Sequence, residues 1–597
     1  MTEKKNRITH QLVQNAATGI ILMEIAGAIT YVIDGTITSR FIGDTALAAN
    51  GMAGICFTVF AVISGVLAAG ASQICSEEIG KGNVEKSNRV FSMTLFVTLL
   101  TSIVVALIGI LFCDQVAALI GATKDTGELY YHASTYIRGF FIGAPGHILV
   151  AVLIPEVQIC GKNKLIIASI GALTIADVIG DLLNVLVFHG GMFGMGLATS
   201  ISYYVSILVL LSCFCNNNLF KISFRHIDFS ALLSILKIGL PRATKRVGNI
   251  IRPLIMNRMI ILAGGAAAMA AFSVEQNVRY VVESVGVGIG GGIFLLGGMF
   301  LGEKDYHMLK SCCKVSLQYI ILGVGALSIV YFLAAPFIAE IYVPVNAPSY
   351  DWAVSILRCH AVSLPFLAYN EFYQNLIQAQ KKYILTHIHT LCNKLICIIA
   401  LCFVLAPYYG VLGLWLSIPL SEILLVVITI VINGIRNKLQ SDPDGFFSML
   451  EPYEDNPERY LEIHMSGTEE LPKQISLIKT FCQNNQLDGK QLYYIELFIE
   501  EITVFIIEKG FTDSRKKEID IRVYIDSEDV IIRTRDNGSS ITVMERMELL
   551  EKLQDGDYIG IRMVYKLAQE MKYITTMNIN NFIVTLPKRR NQKNEKN

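Results

Sequence analysis

Between Lys164 and His189 the chain reads LIIASIGALTIADVIGDLLNVLVF (Leu165–Phe188), an apolar run interrupted by two aspartates four residues apart. A helix needs about 20 mostly apolar residues to cross a bilayer, and this run has that length. Ionisable side chains inside a membrane are costly and kept for function. Spacing of four stacks Asp177 above Asp181 on one helical face. The stretch therefore predicts a membrane span with an acidic stripe turned away from lipid.

Similar runs recur along the first two thirds of the 597 residues. They predict spans near 14–38, 46–71, 91–114, 132–158, 165–188, 193–215, 239–263, 271–298, 312–337, 352–376, 384–406 and 410–434. The fold class expected is an all-α polytopic membrane protein of about twelve helices, followed by a soluble α+β domain. Composition agrees: 53% of residues are apolar, 17% charged, and the mean hydropathy is +0.49. Soluble domains carry about a quarter charged residues. Lys plus Arg and Asp plus Glu balance at 50 each, with no basic excess to suggest a nucleic-acid partner. The thirteen cysteines, among them Cys213, Cys312, Cys313 and Cys397, form no CxxC pair. They are expected to be reduced thiols inside helices, with no metal site.

Charge in the connecting loops alternates. One set holds Lys81, Lys86 and Arg89; Lys162 and Lys164; Lys221 and Arg225; Lys304 and Lys310; Lys381 and Lys382; Arg436 and Lys438. The other has little beyond Arg40 and Lys124. The positive-inside rule makes the first set cytoplasmic. An even number of spans then leaves both termini cytoplasmic, in a multi-pass protein of the cell membrane.

A weak internal repeat has an offset of about 220 residues, as parallel transporter halves have. Ile79-Gly80-Lys81 returns as Leu301-Gly302-Glu303, and Gly194-x-Gly196-Leu197 as Gly410-x-x-Gly413-Leu414. The domains expected are a tail (1–12), a six-helix lobe (13–225), a second lobe (226–437), a linker (438–459) and a soluble domain (460–590).

Asp34, late in the first span, joins Asp177 and Asp181 as a candidate cation site, with Thr199 adding a hydroxyl oxygen. Carboxylate and hydroxyl oxygens suit a hard cation, and crowded carboxylates in a low dielectric take up protons near neutrality. By the repeat offset Asp34 corresponds to Met256. The second half instead mixes charges: Arg252, Glu275, Arg279, Glu283 and Lys394 lie well inside spans and are candidates for a substrate cavity. Pairing of Arg279 with Glu275 or Glu283, at helical spacing, is the alternative account of these charges.

Ile33-Asp34-Gly35, Phe41-Ile42-Gly43, Ala46-Leu47-Ala48, Gly70-Ala71-Ser72-Gln73 and Gly239-Leu240-Pro241 together resemble the multidrug and toxic compound extrusion (MATE) transporters over about residues 12–435. That resemblance implies secondary active efflux of small molecules by H⁺ or Na⁺ antiport, without a cofactor or enzymatic step. It also implies a coupling site at Asp34, at an Asn-x-x-x-Asp pair in the fifth span, and at a Thr in the sixth. Asp177 departs from the pattern, standing where Asn is usual, and an extra carboxylate favours the proton. The basic second half raises an alternative, an exporter or flippase of anionic or lipid-linked metabolites.

From Tyr460 the order is strand, two helices, two strands (Glu518–Ile525, Asp529–Arg535), helices near 542–552 and 560–570, and strands at 572–576 and 581–586. Glu501, Asp536-Asn537-Gly538 and Gly556 to Gly560 resemble the histidine-kinase-like ATPase domain of the anti-sigma-factor kinase type. The resemblance implies ATP near Glu501, Asp536, Gly538 and Gly560. Phe505, however, stands where that family has a Mg²⁺-binding Asn, and a phenyl ring cannot ligate Mg²⁺. Ser540 also replaces a usual glycine. A degenerate domain contacting a cytoplasmic regulatory protein is one expectation. A membrane-anchored anti-sigma-like kinase or a non-transporting sensor is the other.

Overall fold

The computed structural model describes residues 7–215, 219–221, 229–303, 305–440, 459–511, 517–525, 528–539 and 559–588. Arg225, Lys304, linker residues 441–458, Ser540, Gly556 and the helix expected near 542–552 lie outside them. The chain forms two compact units, Val13–Glu451 and a second made of Met1–Leu12 with Pro452–Asn597.

The larger unit is helical: α1 (Arg7–Phe41), α2 (Asp44–Gly80), α3 (Val84–Leu111), α4 (Cys113–Leu119), α5 (Glu128–Ile142), α6 (Ala144–Ile159), α7 (Asn163–Leu183) and α8 (Gly191–Cys215). There follow α9 (Leu232–Gly302), α10 (Tyr306–Gln318), α11 (Gly325–Tyr342), α12 (Tyr350–Ala379), α13 (Tyr383–Leu391), α14 (Cys397–Tyr409) and α15 (Val411–Gln440). Among the described residues, ten helical runs are long and apolar enough to cross a membrane, or eleven if α5 and α6 make one bent span. Those two meet at 50° around Gly143, where Pro145 occupies the first turn of α6 and cannot donate to the turn before it. The spans expected at 239–263 and 271–298 are the two helical segments of α9 (71 residues in all), parted at Gly265. Its backbone leaves helical geometry at Gly265 (φ 60°, ψ −152°), a conformation that glycine adopts without a Cβ clash.

Features of the two halves recur near the repeat offset. Asn83 caps α3 by accepting from Lys86 N at 3.2 Å, and Asp305 caps α10 by accepting from Met308 N at 3.0 Å. Gly191 opens α8 with φ 56°, as Gly410 just before α15 has φ 57°. Between the halves, α2 and α9 touch backbone to backbone. A Cβ on Gly70 would collide with the Ile235 carbonyl, and one on Gly239 with that of Val66. Small residues allow such approach where helices associate without a hydrophobic driving force.

α7 shows how the site is positioned. Ile167, Ile175 and Ile179 are exposed on its outer side, whereas Ile166, Ser169, Asp177 and Asp181 are buried. The helix is apolar outward and polar inward, the reverse of a soluble amphipathic helix and what a lipid solvent selects.

The second unit carries a five-stranded antiparallel sheet in the order β1-β2-β3-β5-β4. Its strands are β1 (Tyr460–Met465), β2 (Ile519–Ile525), β3 (Asp529–Asp536), β4 (Glu570–Thr576) and β5 (Ile579–Pro587). The described helices are α16 (Leu471–Asn484), α17 (Gly489–Phe505) and α18 (Ile559–Leu567). Period-two alternation puts Ile463 beside Ile521 in the β1–β2 register. Both join Ile478, Phe498, Ile532, Val584 and Phe505 in one apolar core.

Candidate functional site

Asp34 on α1 and Asp177 and Asp181 on α7 come together inside the first half. Asp177 and Asp181 are fully buried and Asp34 nearly so. Both oxygens of Asp177 and of Asp181, and Oδ1 of Asp34, lack a hydrogen-bond partner among the described residues. The three carboxylates are close enough to interact electrostatically. The Thr199 and Ser202 hydroxyls lie on the Asp177 side, although Thr199 Oγ1 also donates to Met195 O at 3.3 Å. Asp34, Asp177 and Thr199 line a cavity of about 240 Å³ with Phe57, Tyr203 and Ser206. Asp181 is not among the lining residues. Crowded buried carboxylates destabilise one another unless a cation or proton is shared among them, so the arrangement favours positive charge.

The charges expected in the second half also gather, into two networks. Arg279 Nε donates to Glu283 Oε1 at 2.8 Å, which settles its pairing between Glu275 and Glu283. His360 on α12 lies between them, Nε2 at 3.2 Å from Glu283 Oε1 and Nδ1 at 3.7 Å from Glu275 Oε1. In the other network Glu371 receives Lys245 at 2.7 Å and Lys394 at 3.1 Å. Asn370 and Asn393 donate to Glu422 Oε2 at 2.7 and 2.8 Å. Arg252 is 5% exposed, within electrostatic range of Glu275, Glu283, Glu422 and Arg279. It makes no hydrogen bond or ion pair among the described residues. Sequence reasoning missed Glu371 and Glu422, and also Glu156 on α6, fully buried with both oxygens unpartnered. Each is a single carboxylate in an apolar run, the signal that exposed Asp34.

In the second unit, Asp536 Oδ1 accepts from Gly538 N at 3.0 Å and from Asn580 Nδ2 at 2.7 Å, bracing the turn after β3. Glu501 Oε2 accepts from Ile561 N at 3.0 Å, capping α18. Burial pushes the Glu501 carboxyl above its ordinary range and Glu500 adds to this, while the N–H groups of Ile561 and Gly560 pull it back. A Cβ on Gly560 would sit 2.8 Å from the Leu497 carbonyl carbon, so the glycine lets α18 approach α17. Phe505 is 2% exposed and belongs to the core.

A helical unit with many apolar spans, a carboxylate-lined cavity and buried charge networks defines a multi-pass membrane transporter. The MatE family model matches residues 20–183 and 245–404, more than half of the chain, and the chain belongs to that family. It is 23% identical over 393 residues to the multidrug export protein MepA of Staphylococcus haemolyticus, covering 65% of this chain and 85% of the relative. MepA of Staphylococcus aureus (strain bovine RF122 / ET3-1) is 23% identical over 395 residues, covering 64% and 85%. Among solved structures, an outward-facing multidrug resistance MATE family transporter of the MOP superfamily superposes with a TM-score of 0.67 at 18% identity, over 73% of this chain and 97% of that one. A MOP superfamily transporter from Pyrococcus furiosus, whose binding pocket of reverse polarity suggests a different function, superposes with a TM-score of 0.66 at 18% identity over the same shares.

Proposed function

We propose that the chain exports small molecules across the cell membrane in exchange for protons, with Asp34, Asp177, Asp181 and Thr199 as the coupling site. The observation that carries this reading is the set of buried, unpartnered carboxylate oxygens at the wall of a cavity. In the unloaded site, like charges held in contact in a low dielectric repel by several kcal/mol. Binding H⁺ removes that repulsion and the anionic character of the cavity, so a loaded site releases cargo that an unloaded one retains. The third carboxylate, Asp177, favours the proton over Na⁺. Related proteins named as multidrug exporters support a broad cargo range.

Counting α9 as two crossings and α5–α6 as one gives twelve spans in two lobes of six, the parallel-repeat form that rocks between two access states. Both termini are then cytoplasmic. The second unit is a degenerate ATPase-like domain that regulates transport or holds a cytoplasmic partner, because the Mg²⁺-ligand position is Phe505 in a packed core.

The test is transport in proteoliposomes under an imposed proton or sodium gradient, comparing wild type with Asp34→Asn and Asp181→Asn. Lipophilic cations and anionic metabolites serve as cargo. Proton-driven export lost in both variants is the expected result. Sodium-driven flux would transfer the site to Na⁺, and flux surviving both substitutions would overturn the assignment.

A further inference from the structure

His360 is 1% exposed, within α12, and both of its ring nitrogens face polar groups. From α9, Glu283 Oε1 faces Nε2 at 3.2 Å and Glu275 Oε1 faces Nδ1 at 3.7 Å. From α11, the Tyr331 hydroxyl lies 3.4 Å from the same Nδ1. Arg279 is committed to Glu283, and Lys394 and, from α15, Glu422 act on Glu283 at longer range.

A neutral imidazole has one N–H and one lone pair, whereas an imidazolium has two N–H groups. With carboxylates at both nitrogens, the ring satisfies both only as an imidazolium. Tyr331 supplies the alternative. Once Nδ1 gives up its proton, the tyrosine O–H can donate to the bare nitrogen, while Nε2–H stays on Glu283. The site thus has a defined partner set for each protonation state.

The consequence falls on Glu275. Its Oε2 accepts from Gln276 Nε2 at 2.8 Å, but Oε1 has no hydrogen bond. When the His360 proton leaves, this buried carboxylate loses its nearest positive charge. Arg252, buried and unpaired, feels Glu275 electrostatically, and it is the cation free to replace that proton. Arg252 lies before the break at Gly265 and Glu275 after it. An Arg252–Glu275 pair would therefore draw the two parts of α9 together.

We propose that His360 is a second proton-binding site, in the second half of the transporter, whose proton competes with Arg252 for Glu275. Only its place in the transport cycle rests on the antiport reading; the proton site itself is measurable without transport.

The experiment is a pH titration of full-length protein in lipid bilayers, labelled with ¹⁵N-histidine and followed by solid-state NMR. His360 is assigned by its loss in His360→Asn or, should that variant not fold, by its through-space contact with the Tyr331 ring. The expected result is an imidazolium at low pH that becomes a neutral ring protonated at Nε2. Tyr331→Phe removes the acceptor bond of the neutral form and should move the midpoint up by about one pH unit. Glu275→Gln weakens the imidazolium and should move it down by a similar amount. Asp34→Asn should leave it in place. A ring that stays neutral at every pH, or shifts that fail to oppose each other in the two variants, would overturn the proposal even if proton antiport at Asp34 stands.

Discussion

Glu77 Oε2, near the end of α2, lies 2.6 Å from Lys381 Nζ in the turn between α12 and α13, so an ion pair joins the two halves of the transporter. Lys381 adopts a left-handed backbone (φ 61°), uncommon for a residue with a Cβ. Gln73 Nε2 donates to Ala379 O at 2.9 Å one turn away, and Lys81 also reaches Glu77, at 2.7 Å. The pair sits beside a close approach of α2 and α9, where a Cβ on Gly302 would collide with the Glu77 carbonyl, so opening of that end must break it. Half-exposed pairs contribute about 1 kcal/mol at most, and Glu77→Gln should raise the open population by up to about fivefold. Ser76→Cys, buried against Gly298, reports this through its rate of maleimide labelling, resolved by peptide mass. An unchanged rate would make the pair incidental to opening.

The acidic cluster predicts an opposition between stability and activity. Asp177 is fully buried and neither oxygen has a partner among the described residues. A charge on it therefore costs the fold stability. Asp177→Asn should raise thermal stability, by about 1 kcal/mol, while proton-driven export falls. Thermal unfolding in detergent and flux in proteoliposomes check the two halves. Loss of stability together with activity would mean that the aspartate holds α7 in place instead.

The acidic site was legible because its charges interrupt apolar runs, and each such interruption needs a reason. Asp34, Asp177 and Asp181 stand out from sequence alone, and the spacing of four already put two of them on one face. Glu371 and Glu422 carry the same signal, but their meaning depends on partners. Lys245 and Lys394 reach Glu371 from α9 and from the turn Cys392–Ile396, contacts that only tertiary packing creates. Span positions were legible from length and polarity. The break at Gly265 between the spans expected at 239–263 and 271–298 was legible too, whereas the splitting of 132–158 at Gly143 was not, since hydropathy averages over bends. In the second unit, alternation revealed the strands, while the bracing of Asp536 by Asn580 depends on the pairing of β3 with β5.

His464 on β1 gives the second unit a pH dependence. Burial lowers the affinity of its ring for a proton, but Asp520 and Glu518 outweigh this and hold it above the ordinary histidine value. Glu518 Oε2 is 3.1 Å from Nε2 and Asp520 Oδ1 is 4.0 Å from Nδ1. A proton held more tightly in the folded state stabilises it fully below the unfolded value of about 6.5. That contribution is lost as pH rises through the raised folded value. Amide-exchange protection of β1 and β2, corrected for intrinsic rates, should fall over that rise by up to about 1 kcal/mol. His464→Gln should flatten the profile, and a slope that persists in the variant would assign it to another group.

Phe505 decides whether the second unit can act on nucleotide. Placing asparagine there would restore the side chain that a Mg²⁺ site of the kinase type requires. Yet Phe505 is 2% exposed, packed in the core with Phe498 and Ile502. Truncating such a phenyl ring costs about 3–5 kcal/mol, and a buried amide without partners adds to the cost. Domains are stable by about 5–15 kcal/mol, so Phe505→Asn should bring the sheet and its helices close to unfolding without creating Mg²⁺-dependent ATP binding. Phe505→Leu, which keeps an apolar side chain, should remain folded. Titration calorimetry with Mg-ATP on both full-length variants, beside limited proteolysis of the 459–588 region, checks the prediction. Tight Mg-ATP binding by a folded Phe505→Asn protein would show that the core tolerates the ligand, and that an ATP site survives around Asp536 and Gly538.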